Sequence, residues 1–196
     1  MRKNSMKILL GFALGLILTT MGCGFQSIPM AKNDVDAAMA EVTSQYKRRG
    51  DLIPNLVATV QGYASHEKET LTAVMDARAK ASQINVTTNS PESLKDFQAA
   101  QGSLSQALGR LMMVAEKYPD LKANQNFRDL QAQLEGTENR ITVARNRLIE
   151  AIKIFNNLVT VPFSSWTNSL VYHHQPMPQW TVENAKQLEN APSVSF

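Results

Sequence analysis

The sequence predicts an all-α protein, an elongated antiparallel bundle of three to four long helices behind an N-terminal membrane segment. Apolar residues recur at alternating spacings of three and four over three long stretches, a pattern typical of helices that pack along a seam. Glycine and proline are scarce, with nine and eight among 196 residues. Most of the prolines lie outside the periodic stretches, which favours long helices with few turns.

Composition and charge exclude some classes of function. The net charge is +3, and its lysines and arginines are spread among acids without forming a basic block. We therefore expect no nucleic-acid partner. The single cysteine, Cys23, excludes an internal disulfide framework.

Residues 1–23 are expected to be a signal peptide or a membrane anchor. Arg2, Lys3 and Lys7 precede an uncharged run from Ile8 to Cys23, the order that secretion machinery recognises. The run ends in Thr20-Met21-Gly22-Cys23, which resembles a bacterial lipobox and predicts lipidation of Cys23. The alternative is an uncleaved signal anchor. Both alternatives place the rest of the chain on the non-cytoplasmic side of a membrane in the bacterial cell envelope, because the positively charged residues before the apolar run stay in the cytoplasm.

Residues 24–32 are predicted to be a short tether, after which Asn33 or Asp34 caps the first helix of a bundle spanning 33–162. Pro54 predicts a kink within that helix, because the apolar phase continues on both sides of it. We favour a helix that continues to about Gln83, with a reversal at Gly62 to Ser65 as the alternative. The apolar seam of its first part comprises Val35, Met39, Val42, Tyr46, Ile53, Leu56, Val60 and Tyr63, provided that Arg49 counts as a member.

Two further long helices follow a polar loop at 85–91. Ser90-Pro91-Glu92 is a typical helix start, with a capping hydroxyl and a proline in the first turn. The second helix ends at Pro119, and the third runs from near Lys122 to Pro162. The second seam comprises Leu94, Phe97, Gln101, Leu104, Leu108, Leu111, Ala115 and Tyr118. The third comprises Phe127, Leu130, Leu134, Thr137, Ile141, Ala144, Leu148, Ile152, Phe155 and Val159.

The C-terminal tail, residues 163–196, is rich in proline, asparagine and serine and is expected to pack on or near the bundle. Within this tail, one short helix is predicted around Val182 to Glu189.

Polar residues within the seams predict one buried layer. If the helices fold back on one another at their loops, Arg78, Gln101 and Thr137 lie at one level, with Glu138 beside them. A buried arginine needs a carboxylate, because an unpaired buried charge is very costly. We therefore expect Glu138 to pair with Arg78 and the layer to fix the helix register.

The same geometry leaves the stripe from Val35 to Arg49 without an intrachain partner if the first helix is continuous. An uncovered apolar stripe suggests a second copy, another protein or the tail. Self-association through this stripe is expected to be abolished by Val42→Asp. If the chain reverses at Gly62 to Ser65 instead, the stripe is covered and a four-helix bundle results.

The stretch Tyr46 to Val57 holds Arg48, Arg49, Asp51 and Pro54 within seven residues. One interpretation is structural, a kink whose arginines pair with Asp51 and with the carbonyls that Pro54 frees. The other is a partner site at the membrane-proximal end, because arginine beside apolar surface suits protein interfaces and anionic head groups.

The sequence predicts no catalytic residue, no metal site and no cofactor. The three histidines, His66, His173 and His174, do not complete a known metal-binding spacing with the paired carboxylates Glu135 and Glu138. We therefore expect a protein that is not an enzyme.

Three stretches resemble the LemA family of bacterial membrane-associated proteins, over about residues 23–196. They are YKRRGDLIPNLVATVQGYASHE at 46–67, AEKYPDLKANQNFRDLQAQLEGTENRITVARN at 115–146 and NAPSVSF at 190–196. The resemblance implies a helical bundle behind an N-terminal membrane segment and envelope association without an established reaction.

The expected function is therefore a membrane-anchored scaffold that associates with itself or with another envelope protein. The alternative is a membrane-surface module that binds anionic lipid through its basic helix end.

Overall fold

The computed structural model describes the backbone of residues 2–88, 90–162 and 164–180, and the side chains within these ranges from residue 26 onward. The described residues form six α-helices and one π-helical turn. They are α1 (Arg2–Tyr63), α2 (Lys68–Gln83), α3 (Pro91–Ala115), α4 (Pro119–Ala123), α5 (Gln125–Thr160), α6 (Ser164–Thr167) and the π-helical turn (Asn168–Tyr172). The predicted all-α class is confirmed.

The four long helices α1, α2, α3 and α5 form an antiparallel bundle. Side-chain contacts fix their levels: Arg78 of α2 reaches Gly50 of α1, while Gln101 of α3 and Glu138 of α5 both reach Arg49. The chain therefore passes the level of residue 49 four times in alternating directions. Helix α1 packs against both α5 and α2, and α3 packs against α2.

The chain reverses between α1 and α2, so the favoured expectation of one helix to about Gln83 is wrong and the alternative is right. Ala64, fully buried, anchors the turn, and the Glu67 amide donates to the Ala64 carbonyl at 3.1 Å. Across the turn, the Tyr118 hydroxyl donates to Glu67 Oε1 at 3.4 Å. The apolar face of α2 resumes the phase of α1 after this turn, which is why periodicity alone did not mark the break.

Helix α1 is uninterrupted where a tether was expected. Residues 24–32 are helical, and Ile28 and Ala31 are buried in the bundle core. Asn33 and Asp34 consequently lie in mid-helix and do not cap it. The helix also continues through Pro54, as the unbroken apolar phase predicted.

Local capping explains where the later helices begin. Ser90 caps α3 as predicted, its Oγ accepting from the Ser93 amide at 3.1 Å with Pro91 in the first turn. Helix α5 begins at Gln125 because Asn124 Oδ1 accepts from the Phe127 amide at 3.0 Å. The expected start near Lys122 falls inside α4, which Pro119 opens.

The core is divided into a proximal and a distal half. On α1 the proximal core runs from Ile28 to Tyr46, and the distal core begins at Ile53. The stripe from Val35 to Arg49 is therefore covered, as expected for a reversal at Gly62 to Ser65 and not for the favoured continuous helix. It is covered because the four-helix arrangement lays the long helix α5 against it, with buried members down to Val159 in the same cluster.

The described part of the tail packs on the bundle. After the π-helical turn, His173 adopts a left-handed conformation (φ 54°) and the chain runs back along α5. Asn156 holds this return, accepting from the Met177 amide at 2.7 Å and donating to its carbonyl at 2.9 Å. The predicted helix at Val182 to Glu189 lies outside the described residues.

No helix in the described part of the chain is long and apolar enough to cross a membrane. The predicted anchor at 1–23 and the lipidation of Cys23 fall where side chains lie outside the described residues, and both stay predictions.

Candidate functional site: a buried arginine layer beside a groove

A buried arginine joins three helices at the junction of the two cores. Arg49 is 1% exposed. Its Nη1 donates to Glu138 Oε1 at 2.5 Å and to Ser105 Oγ at 3.0 Å, and its Nη2 donates to Gln101 Oε1 at 2.5 Å. We call Arg49, Gln101, Ser105 and Glu138 the arginine layer.

The arginine layer compensates a charge that is fully removed from solvent. Burying an unpaired guanidinium is very costly, and the carboxylate of Glu138 offsets that cost. The Glu138 side chain is 50% exposed, so the ion pair reaches solvent between α3 and α5. Arg49 Nε is buried without a hydrogen-bond partner among the described atoms.

The predicted polar layer thus exists, but its arginine is Arg49 instead of Arg78. Gln101 and Glu138 lie in it as expected. Thr137 is buried nearby, but its Oγ1 donates to the Gln133 carbonyl at 2.7 Å on its own helix. The predicted pair of Arg78 with Glu138 is wrong, because Arg78 lies on α2, which packs against α1 and α3, and its Nε donates to the Gly50 carbonyl on α1.

Arg78 satisfies a backbone group that Pro54 leaves without a partner. Proline has no N–H, so the carbonyl of Gly50, four residues earlier, loses its intrahelical bond. Arg78 Nε donates to that carbonyl at 2.8 Å. The expectation that Arg48 or Arg49 serves a carbonyl freed by Pro54 is therefore wrong, because Arg78 of the neighbouring helix α2 occupies that carbonyl.

Arg48 and Asp51 lie on the solvent side of α1. Both are exposed, and the buried Arg49 pairs with Glu138 instead of Asp51. The predicted pairing within the Tyr46 to Val57 stretch is consequently wrong. Residues 48 and 49 also lie in mid-bundle, some twenty positions along α1 from Ile28, at about 30 Å by helical rise.

Aromatic side chains cover the proximal side of the arginine layer. The guanidinium carbon of Arg49 lies 5.0 Å from the centre of the Tyr46 ring, a cation–π distance. Trp180 of the tail stacks on Tyr46 at 6.5 Å, and Arg145 lies over Trp180 at 5.0 Å. Burial raises the pKa of the Tyr46 hydroxyl above its ordinary value of 10.0, and nearby Arg145 and Arg49 oppose that rise.

A groove opens beside the arginine layer between α1, α2 and α3, with a cavity of about 370 Å³. Its floor is apolar and its rim is polar with charges of both signs. The floor consists of Ala81, Ile84, Phe97 and Leu104, and the rim includes Thr43, Lys47, Asp51, Arg78, Ser82 and Asn85. We call this cleft the mid-bundle groove.

Sequence reasoning missed three members of the site. Ser105 lies four residues after Gln101 on the same helix face, a spacing that offered a usable signal. Trp180 gave none, because the path of a non-periodic tail does not follow from its own residues. Arg145 of α5 belongs to the site through its contact with Trp180, so it could not be found either.

These features define the class: an all-α protein built on one long N-terminal helix, with a buried arginine in an interhelical ion pair at mid-height. The family model described as LemA family matches residues 38–196, well over half of the chain. The chain therefore belongs to the LemA family.

One relative is similar over much of the chain. Protein LemA from Metamycoplasma hominis is 26% identical over 137 residues, which is 70% of this chain. The matched region covers 58% of the length of that relative, so the chain spans less than two thirds of it.

Proposed function

We propose that this LemA-family chain is a non-enzymatic, membrane-anchored envelope protein whose bundle is a scaffold that docks another envelope protein or a second copy. The observation that carries the proposal is the continuity of α1, which runs from Arg2 to Tyr63 through the uncharged run at 8–23 and the whole bundle. A chain anchored through residues 8–23 would hold its bundle at a fixed angle and height, as a scaffold requires.

The mid-bundle groove supports the docking part of the proposal. An apolar floor inside a polar rim is the usual anatomy of a protein interface. Lys47 and Asp51 lie one turn apart on the rim and offer both signs of charge. A partner segment with an apolar side chain for the floor and paired charges for the rim fits this groove.

Binding of anionic lipid through Arg48 and Arg49 has less support. Arg49 is buried in its ion pair, so only one of the two arginines faces solvent. Of this arginine pair only Arg48 is then available to lipid, and the exposed Asp51 lies within one turn of it, whereas the alternative requires a basic patch.

Site-specific photocrosslinking of the full chain in bacterial envelopes tests the docking proposal. A photoreactive residue at Lys47 is expected to capture a partner, while the same residue at Lys68 is not, because Lys68 is exposed at the start of α2 away from the groove. An adduct of twice the chain mass would identify self-association.

The charges of the rim provide a second test. Asp51→Lys is expected to reduce the Lys47 adduct at least tenfold with helical content unchanged. Equal adducts at Lys47 and Lys68, or no adduct at Lys47, would contradict docking in the groove. Recovery of the chain in the soluble fraction would contradict anchoring.

A further inference from the structure

Exposed apolar side chains collect at the end of the bundle where α1 leaves toward residues 8–23. Trp166 is 63% exposed and Leu170 is 71% exposed, and Met30, Val161 and Val171 are also exposed. We call these five residues the apolar foot. They lie on α1, on the C-terminal cap of α5, on α6 and in the π-helical turn, and α6 packs against both α1 and α5.

The chain segments that build this end carry no charge. Residues 8–31 contain no Asp, Glu, Lys or Arg, and neither do residues 154–172. These segments are far apart in the sequence, and the fold brings them to one end. Elsewhere in the bundle, charged side chains recur along every long helix. An end of the bundle built from apolar, uncharged segments favours contact with a lipid bilayer, whose apolar core lies below a thin polar layer.

The apolar foot is held in place by buried polar contacts. Asn168 is buried in the π-helical turn, where its Nδ2 donates to the His174 carbonyl at 2.9 Å and its Oδ1 accepts from the His174 amide at 3.0 Å. These two bonds close the turn that carries Leu170 and Val171. The outward position of these side chains is thus part of the folded structure.

We propose that the apolar foot rests in the interfacial layer of the lipid bilayer, so that the bundle stands directly on the membrane. This inference rests on the proposed anchoring. Met30 lies seven helical positions beyond Cys23, at about 10 Å. The polar layer on each side of a bilayer core is about 5–8 Å thick. An anchor ending near Cys23 therefore brings Met30 to within a few ångströms of the outer edge of that layer.

The residue types also fit this position. Tryptophan is enriched at the membrane–water interface, where its ring meets both apolar and polar groups. Leu170 and Val171 add apolar area that insertion would remove from water. Since the foot has no cationic residue, its contact should not require anionic lipid.

Fluorescence of the full chain in phosphatidylcholine vesicles tests the proposal. The two tryptophans differ in setting, since Trp166 is exposed and Trp180 is buried against Tyr46. Wild type and Trp166→Phe both retain Trp180, so their difference isolates Trp166 without changing the core. Lipids brominated near the glycerol end are expected to quench at least half of that difference signal, equally at low and high salt. Brominated lipids should leave the emission of Trp166→Phe unchanged.

A reporter at the opposite end provides the matched control. Met113, exposed near the end of α3, carries a tryptophan in a Met113→Trp, Trp166→Phe variant, whose emission should escape lipid quenching. If the chain floats with vesicles while the Trp166 signal is quenched only by aqueous iodide, the foot proposal is overturned and anchoring survives. If the chain does not float with vesicles, both proposals fail. Quenching that appears only with anionic lipid and vanishes in salt would also overturn the foot.

Discussion

Arg49 occupies a seam position of α1, where a helix that packs along an apolar seam ordinarily carries an aliphatic side chain. It lies in phase with the apolar seam of α1 and is fully buried, with donors committed to Gln101, Ser105 and Glu138. A charged group in such a position adds little net stability, because desolvation offsets the ion pair. Its value lies in register, since a shift of any of the three helices would remove at least one acceptor from the guanidinium.

Replacement of Glu138 tests this role. Glu138→Gln is expected to lower the free energy of unfolding by about 1–2 kcal/mol, because the buried charge of Arg49 then keeps only neutral acceptors and the half-exposed position limits the loss. Thermal and urea unfolding of the same sample measure the change.

Glu41→Gln is the matched control, since Glu41 also joins α1 to α5 through an ion pair, with Arg147 at 2.8 Å. Its partner Arg147 is 62% exposed where Arg49 is buried, so the loss should stay below about 0.5 kcal/mol. Equal losses in the two variants would mean that burial of Arg49 has no energetic consequence.

The sequence predicted the charge in the seam but not its partner. Arg49 was in phase, and Glu138 was recognised as the carboxylate of the layer. The predicted pair of Arg78 with Glu138 fails although both lie at this level, because α2 packs against α1 and α3 while Glu138 lies on α5. A pattern with a period of seven residues fixes which face is buried, and it carries no information on whether the chain has turned round.

At the scale of elements, α1 passes a proline in mid-bundle without ending. The lost bond to the Gly50 carbonyl is replaced from outside by Arg78 on the adjacent helix. Helices α1 and α2 are therefore joined at the point where α1 alone is weakest, and the joint exists only because the chain reverses at residues 64–67.

A double-mutant cycle isolates this contact. Arg78→Met is expected to cost about 1 kcal/mol in the wild type and close to nothing in Pro54→Ala, where the new N–H serves the carbonyl itself. Pro54→Ala alone should be stabilising by about 1–2 kcal/mol, since proline is about 3 kcal/mol worse than alanine in a helix interior.

Pro91→Ala is the comparison for the cycle, because Pro91 lies in the first turn of α3, where no bond is lost. Its combination with Arg78→Met should be additive within about 0.3 kcal/mol. A similar coupling in both cycles would assign the effect of Arg78 to general packing.

At the scale of the molecule, two core halves meet at the arginine layer, and the tail closes the proximal half with Met177 and Trp180. The seam of the third predicted helix is almost entirely buried, including Ile141, Leu148 and Phe155. Periodicity predicted the long helices well for this reason. The tail was not predictable, because a non-periodic segment is placed by contacts such as the one between Asn156 and Met177.

Coverage of the Val35 to Tyr46 stripe changes the expected effect of Val42→Asp. Val42 is 0% exposed, so an aspartate there would be a buried charge without a partner, and a loss of about 4 kcal/mol or more is expected. The variant should unfold instead of becoming a folded monomer, as circular dichroism and urea titration would reveal.

Val143→Asp places the same substitution on α5 at a side chain that is 50% exposed, and it should change the free energy of unfolding by no more than about 0.5 kcal/mol. A folded Val42→Asp chain with native helicity would contradict the arrangement of the proximal core.

Because one helix extends from the charge-free N-terminal segment to Tyr63, no loop separates the bundle from that segment, and the orientation of one fixes the orientation of the other. From residue 24 to Tyr63 the helix is about 60 Å long. If residues 8–23 anchor the chain as proposed, a lean of about 10° at the lipid surface would displace the Tyr63 tip sideways by about 10 Å. The angle at which the anchor leaves the membrane would thereby decide where the far end of the molecule reaches.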